Sequence, residues 1–205
     1  MTSIERDATA VSSIDVMMLQ TAAALENVAS GFYNKASALP CVKQGGAAVA
    51  AFVASTAQHH ATHARTFNQE AARNGGAVQT AQDPRYARVV ADAWPTMTSL
   101  TAVVSLGLTL EDAAAQTYIR FAGLAGAVRT RLLFGSIAPV EAQHRAALLA
   151  VQALLNQGAN ALLAAAAGPA KPKPTALPAT VGSVGLPAAF YPATDASAVN
   201  EGAVR

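Results

Sequence analysis

The chain has 205 residues, a formal net charge of +2, 13% charged residues and 5% aromatic residues, which is enough for one domain with an extension. Its alanine-rich, aromatic-poor composition favours closely packed helices over sheets. The lack of a basic cluster argues against nucleic-acid binding, and the single cysteine, Cys41, can form no internal disulfide.

Capping and breaking residues divide the first 167 residues into helices. A serine at 12 or 13 can cap the first helix, which stops before Pro40, and Gly75 closes the second. Pro139 lies inside the last long helix and is expected to kink or break it, because proline removes one backbone hydrogen bond and clashes with the preceding turn. The predicted helices cover about 13–38, 45–73, 85–93 (one or two turns), 96–122, 127–157 and, as a short element, 159–167.

From Gly168 onward the composition changes to proline, alanine, glycine and small polar residues. This composition predicts an extended tail, so the chain divides into a helical bundle over 1–167 and a tail over 168–205. The proline spacing excludes a long helix. We expect the tail to pack on its own bundle or on a neighbouring chain through its large apolar side chains, which are Leu177, Leu186, Phe190 and Tyr191.

Two helices carry one glutamate each on an otherwise apolar face. Glu26 shares a stripe of the first helix with Tyr33, and Glu111 shares a stripe of the third with Tyr118. The segments ALENVASGFY (24–33) and TLEDAAAQTY (109–118) match at Leu-Glu and at a tyrosine seven residues after the glutamate. We interpret this match as part of a two-fold repeat of a helix pair.

The other two long helices each carry a pair of ligand-type side chains spaced three residues apart. His60 and His63 in STAQHHATHARTF share the apolar face of the second helix, whereas His59 lies about 100° away and is expected to point elsewhere. Glu141 and His144 form an ExxH pair on the fourth helix. Buried carboxylates cost free energy unless they are paired or bound to metal. Two interpretations follow: a metal site, or histidines that only hydrogen-bond the glutamates.

The order Glu, ExxH-type pair, Glu, ExxH resembles ferritin-like di-iron carboxylate bundles, and in particular the bacterial ferritin-like-domain family. LENVASGFY, HHATH, LEDAAAQTY and SIAPVEAQHRAALL carry the resemblance over about 13–157. It implies an all-α, ferritin-like four-helix bundle that binds iron as one or two ions, with manganese or zinc as alternatives. Tyr33 and Tyr118 would donate hydrogen bonds beside the site. The implied metal ligands are Glu26, His60, His63, Glu111, Glu141 and His144.

One position departs from the family pattern. His60 stands where the family has the first glutamate of the second helix, a residue that bridges two metals in such bundles. Imidazole cannot bridge as a carboxylate does, so the change puts a full di-iron oxidation cycle in question. Metal affinity is expected to fall below about pH 6.5, because imidazole ligands must be neutral.

Two classes of function are open, and whether the protein is an enzyme stays undecided at this point. The first is a ferritin-like oxidoreductase or an oxygen- or iron-handling stress protein. The second is a scaffold with a vestigial, metal-free site that assembles as a homo-oligomer or in a larger complex through its tail. An iron-storage cage is a further interpretation. Another is a tail that directs the protein into an encapsulin shell, since TVGSVGL (180–186) is similar to the Gly-Ser-Leu peptides of encapsulin cargo.

No membrane-spanning or secretory segment is predicted. The N-terminus MTSIERDATAVSS has charges but no apolar run. The uncharged stretches 93–110 and 146–170 are interrupted by proline or by polar side chains, whereas a span needs about 20 mostly apolar residues. We therefore expect a cytoplasmic protein.

Overall fold

The computed structural model describes residues 13–156, residue 158 and residues 190–204. Over these residues the chain is helical and contains no strand, so the predicted all-α class is confirmed. The elements are α1 Ser13–Ala36, α2 Pro40–Gln44, α3 Ala47–Arg73, α4 Pro84–Ala93, a 3₁₀ turn Trp94–Thr96, α5 Leu100–Leu124 and α6 Val128–Asn156.

Local chemistry sets most of the helix ends. The Asp83 carboxylate accepts a hydrogen bond from the N–H of Tyr86 at 3.1 Å and caps α4, and the Ser99 hydroxyl caps α5 in the same way. Gly75 ends α3 with a φ of 80°, a left-handed conformation that glycine adopts without strain. The short helix α2 was not predicted, and it begins at Pro40 because proline suits the first helical turn.

Of the kink or break predicted at Pro139, the break does not occur, because α6 continues through this residue. Pro139 lies on the exposed side of α6, and so does Gly135, whose carbonyl loses its intrahelical partner. Water can hydrogen-bond a carbonyl on the solvent side of a helix, which lowers the cost of an internal proline.

Four long helices form an antiparallel bundle. α1 packs mainly against α3, and α5 mainly against α6. The ring of Tyr33 meets Phe52, while Glu26 meets His60, so α1 and α3 run in opposite directions. The core between the helices is lined by small alanines and by a few large buried rings, which are Phe32, Tyr33, Phe67, Tyr118, Phe121 and Phe134.

Residues 190–204, here called the C-terminal strap, lie against the bundle. Tyr191 is half-buried and donates a hydrogen bond to Asp112 at 2.9 Å, whereas Phe190 is 88% exposed. Of the expected tail contacts, the one through Tyr191 is present and the one through Phe190 is absent. The predicted helix over 159–167, the segment 180–186, Leu177 and Leu186 lie outside the described residues.

The strap is held chiefly through its backbone, by polar side chains of α1 and α5. Thr21 donates to the carbonyl of Val199 at 2.8 Å and accepts from the N–H of Gly202 at 3.1 Å. Thr117 accepts from the N–H of Ser197 at 2.9 Å. Both threonines are fully buried, and the strap supplies the partners that such groups require. Four further side chains bind the strap backbone: Gln20, Gln79, Tyr86 and Gln116.

Among the described helices, none combines the length and the apolar character that a bilayer crossing requires.

Enlarging Gly202 should displace the strap. A Cβ at this position would lie 2.6 Å from the Cβ of Ala24 and 3.2 Å from the Cα of Thr21. We expect Gly202→Val to lower the free energy of unfolding by about 1–3 kcal/mol, the usual cost of overpacking. Urea unfolding followed by circular dichroism measures this change.

The matched control for this variant is Ala198→Val, which adds side-chain bulk at an exposed strap position. It should change stability by no more than about 0.5 kcal/mol. Equal stability of the two variants would contradict the packing of Gly202 on α1.

Candidate metal centre

Six ionisable side chains from the four long helices meet inside the bundle. They form two overlapping groups, and within each group one nitrogen or oxygen atom per residue lies within 4.8 Å of all the others. His60 and Glu141 belong to both groups. One group is Glu26, His60, His63 and Glu141, and the other is His60, Glu111, Glu141 and His144. The structure therefore brings together all six residues singled out in the sequence.

His60 lies between the two single glutamates. Its Nδ1 is 2.6 Å from Oε2 of Glu26, and its Nε2 is 3.2 Å from Oε1 of Glu111. Both ring nitrogens are thus used, and His60 joins α1 to α5 through α3. The side chain is 1% exposed, and the carboxylates that it contacts are fully buried.

Two tyrosines connect α1 and α5 in a reciprocal way. Tyr33 of α1 donates its hydroxyl hydrogen to Glu111 of α5, and Tyr118 of α5 donates to Glu26 of α1 at 2.6 Å. Each tyrosine thus binds the glutamate of the other helix. The internal sequence repeat corresponds to this two-fold arrangement. The same two-fold relates His63 of α3 to His144 of α6.

Glu141 is the least satisfied member of the cluster. Its Oε1 lies 2.8 Å from Nδ1 of His63 and its Oε2 lies 3.4 Å from Nδ1 of His144. Among the described residues, however, neither oxygen of Glu141 has a partner in hydrogen-bond geometry, and neither has Nδ1 of His63. Buried atoms of this kind usually have a partner, which can be a bound ion.

The charges of the cluster set its protonation. Burial opposes ionisation of Glu26 and Glu111, but the positive charge of His60 outweighs it and holds the pKa of both carboxyls below its ordinary value. Burial and the negative charge of Glu26 raise the pKa of Glu141. Metal-free, the cluster therefore contains imidazolium–carboxylate pairs.

The pKa values of His60, His63 and His144 shift upward, opposite to those of Glu26 and Glu111. Burial alone would lower their pKa, yet the surrounding carboxylates raise the pKa of His60 well above its ordinary value. Close contacts with Glu141 and Glu26 raise the pKa of His63 to about 9, and contacts with Glu111 and Glu141 raise that of His144 to about 9. A metal must displace these protons.

His59 is exposed, as its offset from the apolar face of α3 predicts, but it also contacts a residue of the cluster. Its Nδ1 lies 3.0 Å from Nε2 of His144, and the two rings stack with centroids 5.2 Å apart. His59 is otherwise exposed, so it links His144 to the surface. The 100° offset on the helical wheel turns His59 toward α6, a direction that spacing along one helix cannot identify.

The cluster fits a divalent metal ion. Two ligand atoms on one ion lie at most about 4.0–4.4 Å apart when each bond is about 2.0–2.2 Å, and the atoms of each group already lie within 4.8 Å of one another. Carboxylate and imidazole donors suit iron, manganese and zinc. The unpartnered atoms of Glu141 and His63 are the ligand atoms that such an ion would engage.

One comparison with known proteins matched the helical bundle that holds this cluster. A family model described as a ferritin-like domain matches residues 14–154, which include all four long helices but for their outermost residues. Comparisons with curated proteins and with solved structures gave no significant match.

The raised pKa values predict how metal-free protein responds to pH. His63 and His144 have a pKa of about 9 in the folded state and about 6.5 when unfolded. Their contribution to stability is complete below about pH 6.5 and is lost as pH rises through about 9. We expect the urea unfolding free energy of chelator-treated protein to fall across this window.

Metal affinity should change in the opposite sense over the same window. It should rise with pH because the imidazole ligands lose their protons, and the relevant pH lies nearer 9 than the 6.5 of free imidazole. His63→Gln provides the control, since it removes one of the two titrating groups and should flatten the stability curve. Unfolding free energies of the wild type that stay constant across the window would contradict the imidazolium–carboxylate pairs.

Proposed function

The chain belongs to the ferritin-like domain family, and from that premise we propose that its buried His–Glu cluster binds iron and supports an oxidoreductase of the oxygen- or iron-handling type. Manganese and zinc are the alternative metals, because the same donors accept them. The observation that carries the proposal is the pair of overlapping ligand groups at mid-bundle, in which Glu141 is buried without a hydrogen-bond partner among the described residues.

The ligand groups assign a role to each side chain. Glu26 and His63 belong to one group only, and Glu111 and His144 to the other. Glu141 is common to both, and it is the carboxylate that would be shared if two ions bind. His60 is the other common residue and would act as a terminal ligand, or as a hydrogen-bond partner of a glutamate when one ion binds.

The bound metal would supply the redox or Lewis-acid chemistry, while the chain's own residues hold the ligands in place. Tyr33 and Tyr118 fix the carboxylates of Glu111 and Glu26 by donating to Oε1 of each. The Oε2 atoms contact His144 and His60 in the metal-free cluster and would take a ligand role when an ion displaces those contacts. Burial and the adjacent carboxylates raise the pKa of both tyrosines well above its ordinary value, so both hydroxyls keep their protons. Hydrogen bonds of this kind orient ligands and tune their basicity.

A metal-free scaffold is the second candidate. The observation that favours it is His60, which satisfies Glu26 and Glu111 without any ion. In that case the cluster stabilises the bundle, and the protein acts as a cytoplasmic homo-oligomer or as a subunit of a complex. The tail would be the point of attachment, and the part of it that the structure describes is bound to its own bundle.

Metal content separates the two candidates. The full chain, purified without added metal and without a metal-affinity tag, is analysed for iron, manganese and zinc, and then titrated with ferrous iron in the absence of oxygen. The proposal expects one or two ions per chain, and their loss in Glu141→Ala. A chain that retains its fold and binds none of the three metals would leave only the scaffold.

Replacing His60 by glutamate should restore a four-carboxylate site. The change adds a carboxylate at the position common to both ligand groups, so the charge of two divalent ions is fully balanced. We expect His60→Glu to bind ferrous iron more tightly, with two ions per chain, and to oxidise it faster. Anaerobic isothermal titration and the absorbance of ferric iron after mixing with oxygen measure these effects.

Gln58→Glu is the matched control, because it adds the same charge at an exposed position of α3. It should bind iron as the wild type does. Identical stoichiometry and affinity in His60→Glu and in the wild type would show that His60 is not part of the metal site.

A further inference from the structure

An apolar cavity lies beside the His–Glu cluster, between α1, α3, α5 and α6. Its volume is about 110 Å³. Its outer part is lined by Ala48, Leu100 and Val151, which are partly exposed, so the cavity reaches the surface at that end of the bundle. Its inner part is lined by buried residues, including Val104 and Tyr33.

The lining determines what the cavity can hold. Apart from the hydroxyl of Tyr33, which donates to Glu111, the residues around it have aliphatic or phenyl side chains. A polar ligand would lose its hydrogen bonds to water and find none in return. An engineered apolar cavity of about 150 Å³ stays dry and binds benzene or xenon, and this cavity is somewhat smaller.

Two aromatic rings separate the cavity from the cluster. Tyr33 lines the cavity, and its ring stacks on that of His60 with centroids 5.5 Å apart. Phe52 also lines the cavity, and its ring meets His144 edge to face at 6.4 Å. A molecule inside the cavity would therefore contact residues that themselves contact the cluster.

We propose that this cavity binds a small apolar molecule, either a gas of the size of dioxygen or a hydrocarbon of up to about four carbon atoms. The binding depends on the cavity alone. The further step, in which an apolar reactant reaches the metal from this cavity, rests on the proposed function. The gas and the hydrocarbon share one property, since both are compact molecules without hydrogen-bonding groups.

Xenon and butane test the two sources in metal-free full-length protein. The probes are titrated while the methyl resonances of valine and leucine are followed by nuclear magnetic resonance. We expect saturable shifts at cavity methyls such as those of Val104, and none at the exposed methyls of Leu132, which lies far along α6. Saturation by xenon alone supports a gas site, and saturation by both supports a hydrocarbon site.

Acetamide is similar in size to butane but is polar, so it should produce no saturable shift of the cavity methyl resonances. The absence of saturation with both xenon and butane would overturn the proposal. So would an acetamide response at the same methyls as strong as that of the apolar probes.

Filling the cavity should abolish binding. Val104→Phe fills the buried part, and Ala48→Leu obstructs the partly exposed end and serves if the first variant fails to fold. Ala122→Leu makes a similar change at a half-buried position near the other end of α5, outside the cavity. We expect a loss of affinity of at least about tenfold in the filled variants and none in the control. Unchanged affinity in both filled variants would overturn the assignment of the binding site.

The role of the cavity in the metal reaction is tested separately. At equal iron occupancy, the filled variants should oxidise ferrous iron more slowly with oxygen than the wild type and Ala122→Leu do. Equal rates would overturn this role but leave the binding result standing. If the wild type binds xenon but no iron, the proposed function fails while the cavity assignment holds.

Discussion

The structure depends on the mutual compensation of three buried carboxylates and three imidazoles. Each of the four long helices contributes at least one of them, and no carboxylate of the set is exposed. Removing one partner of a buried charged pair costs about 3–5 kcal/mol, because the other is left uncompensated. The helices must therefore align so that Glu26, His60, Glu111 and Glu141 meet at one height. The apolar residues above and below stabilise that alignment without specifying it.

The arrangement of the cluster follows the two-fold relation between the helix pairs. Tyr33 and Tyr118 bind the glutamate of the opposite helix, and His63 and His144 occupy related places. The relation ends at one position, where His60 corresponds to Glu141. This exchange of a carboxylate for an imidazole leaves three carboxylates facing three imidazoles, and each ligand group contains two of each kind.

Two further features border the cluster on different sides: the C-terminal strap and the apolar cavity. The C-terminal strap joins Thr21 of α1 to Thr117 of α5, behind the faces that carry Glu26 and Glu111. α1 packs mainly on α3 and α5 mainly on α6, so the strap reinforces the smaller contact between α1 and α5. The apolar cavity lies on another side, beyond the rings of Tyr33 and Phe52. The strap and the cavity thus lie on different sides of the same cluster.

The long helices and the six residues of the cluster could be predicted from the sequence, because helical periodicity places residues three or seven apart on one face whatever the partner is. Three outcomes could be seen only in the folded chain: His59 meets His144, α6 passes through Pro139, and the strap binds Thr21 and Thr117. These outcomes depend on contacts between segments far apart in the chain or on exposure to solvent, and neither is encoded in local spacing. The apolar cavity belongs to the same class, since a void is a property of four helices packed together and of no single one.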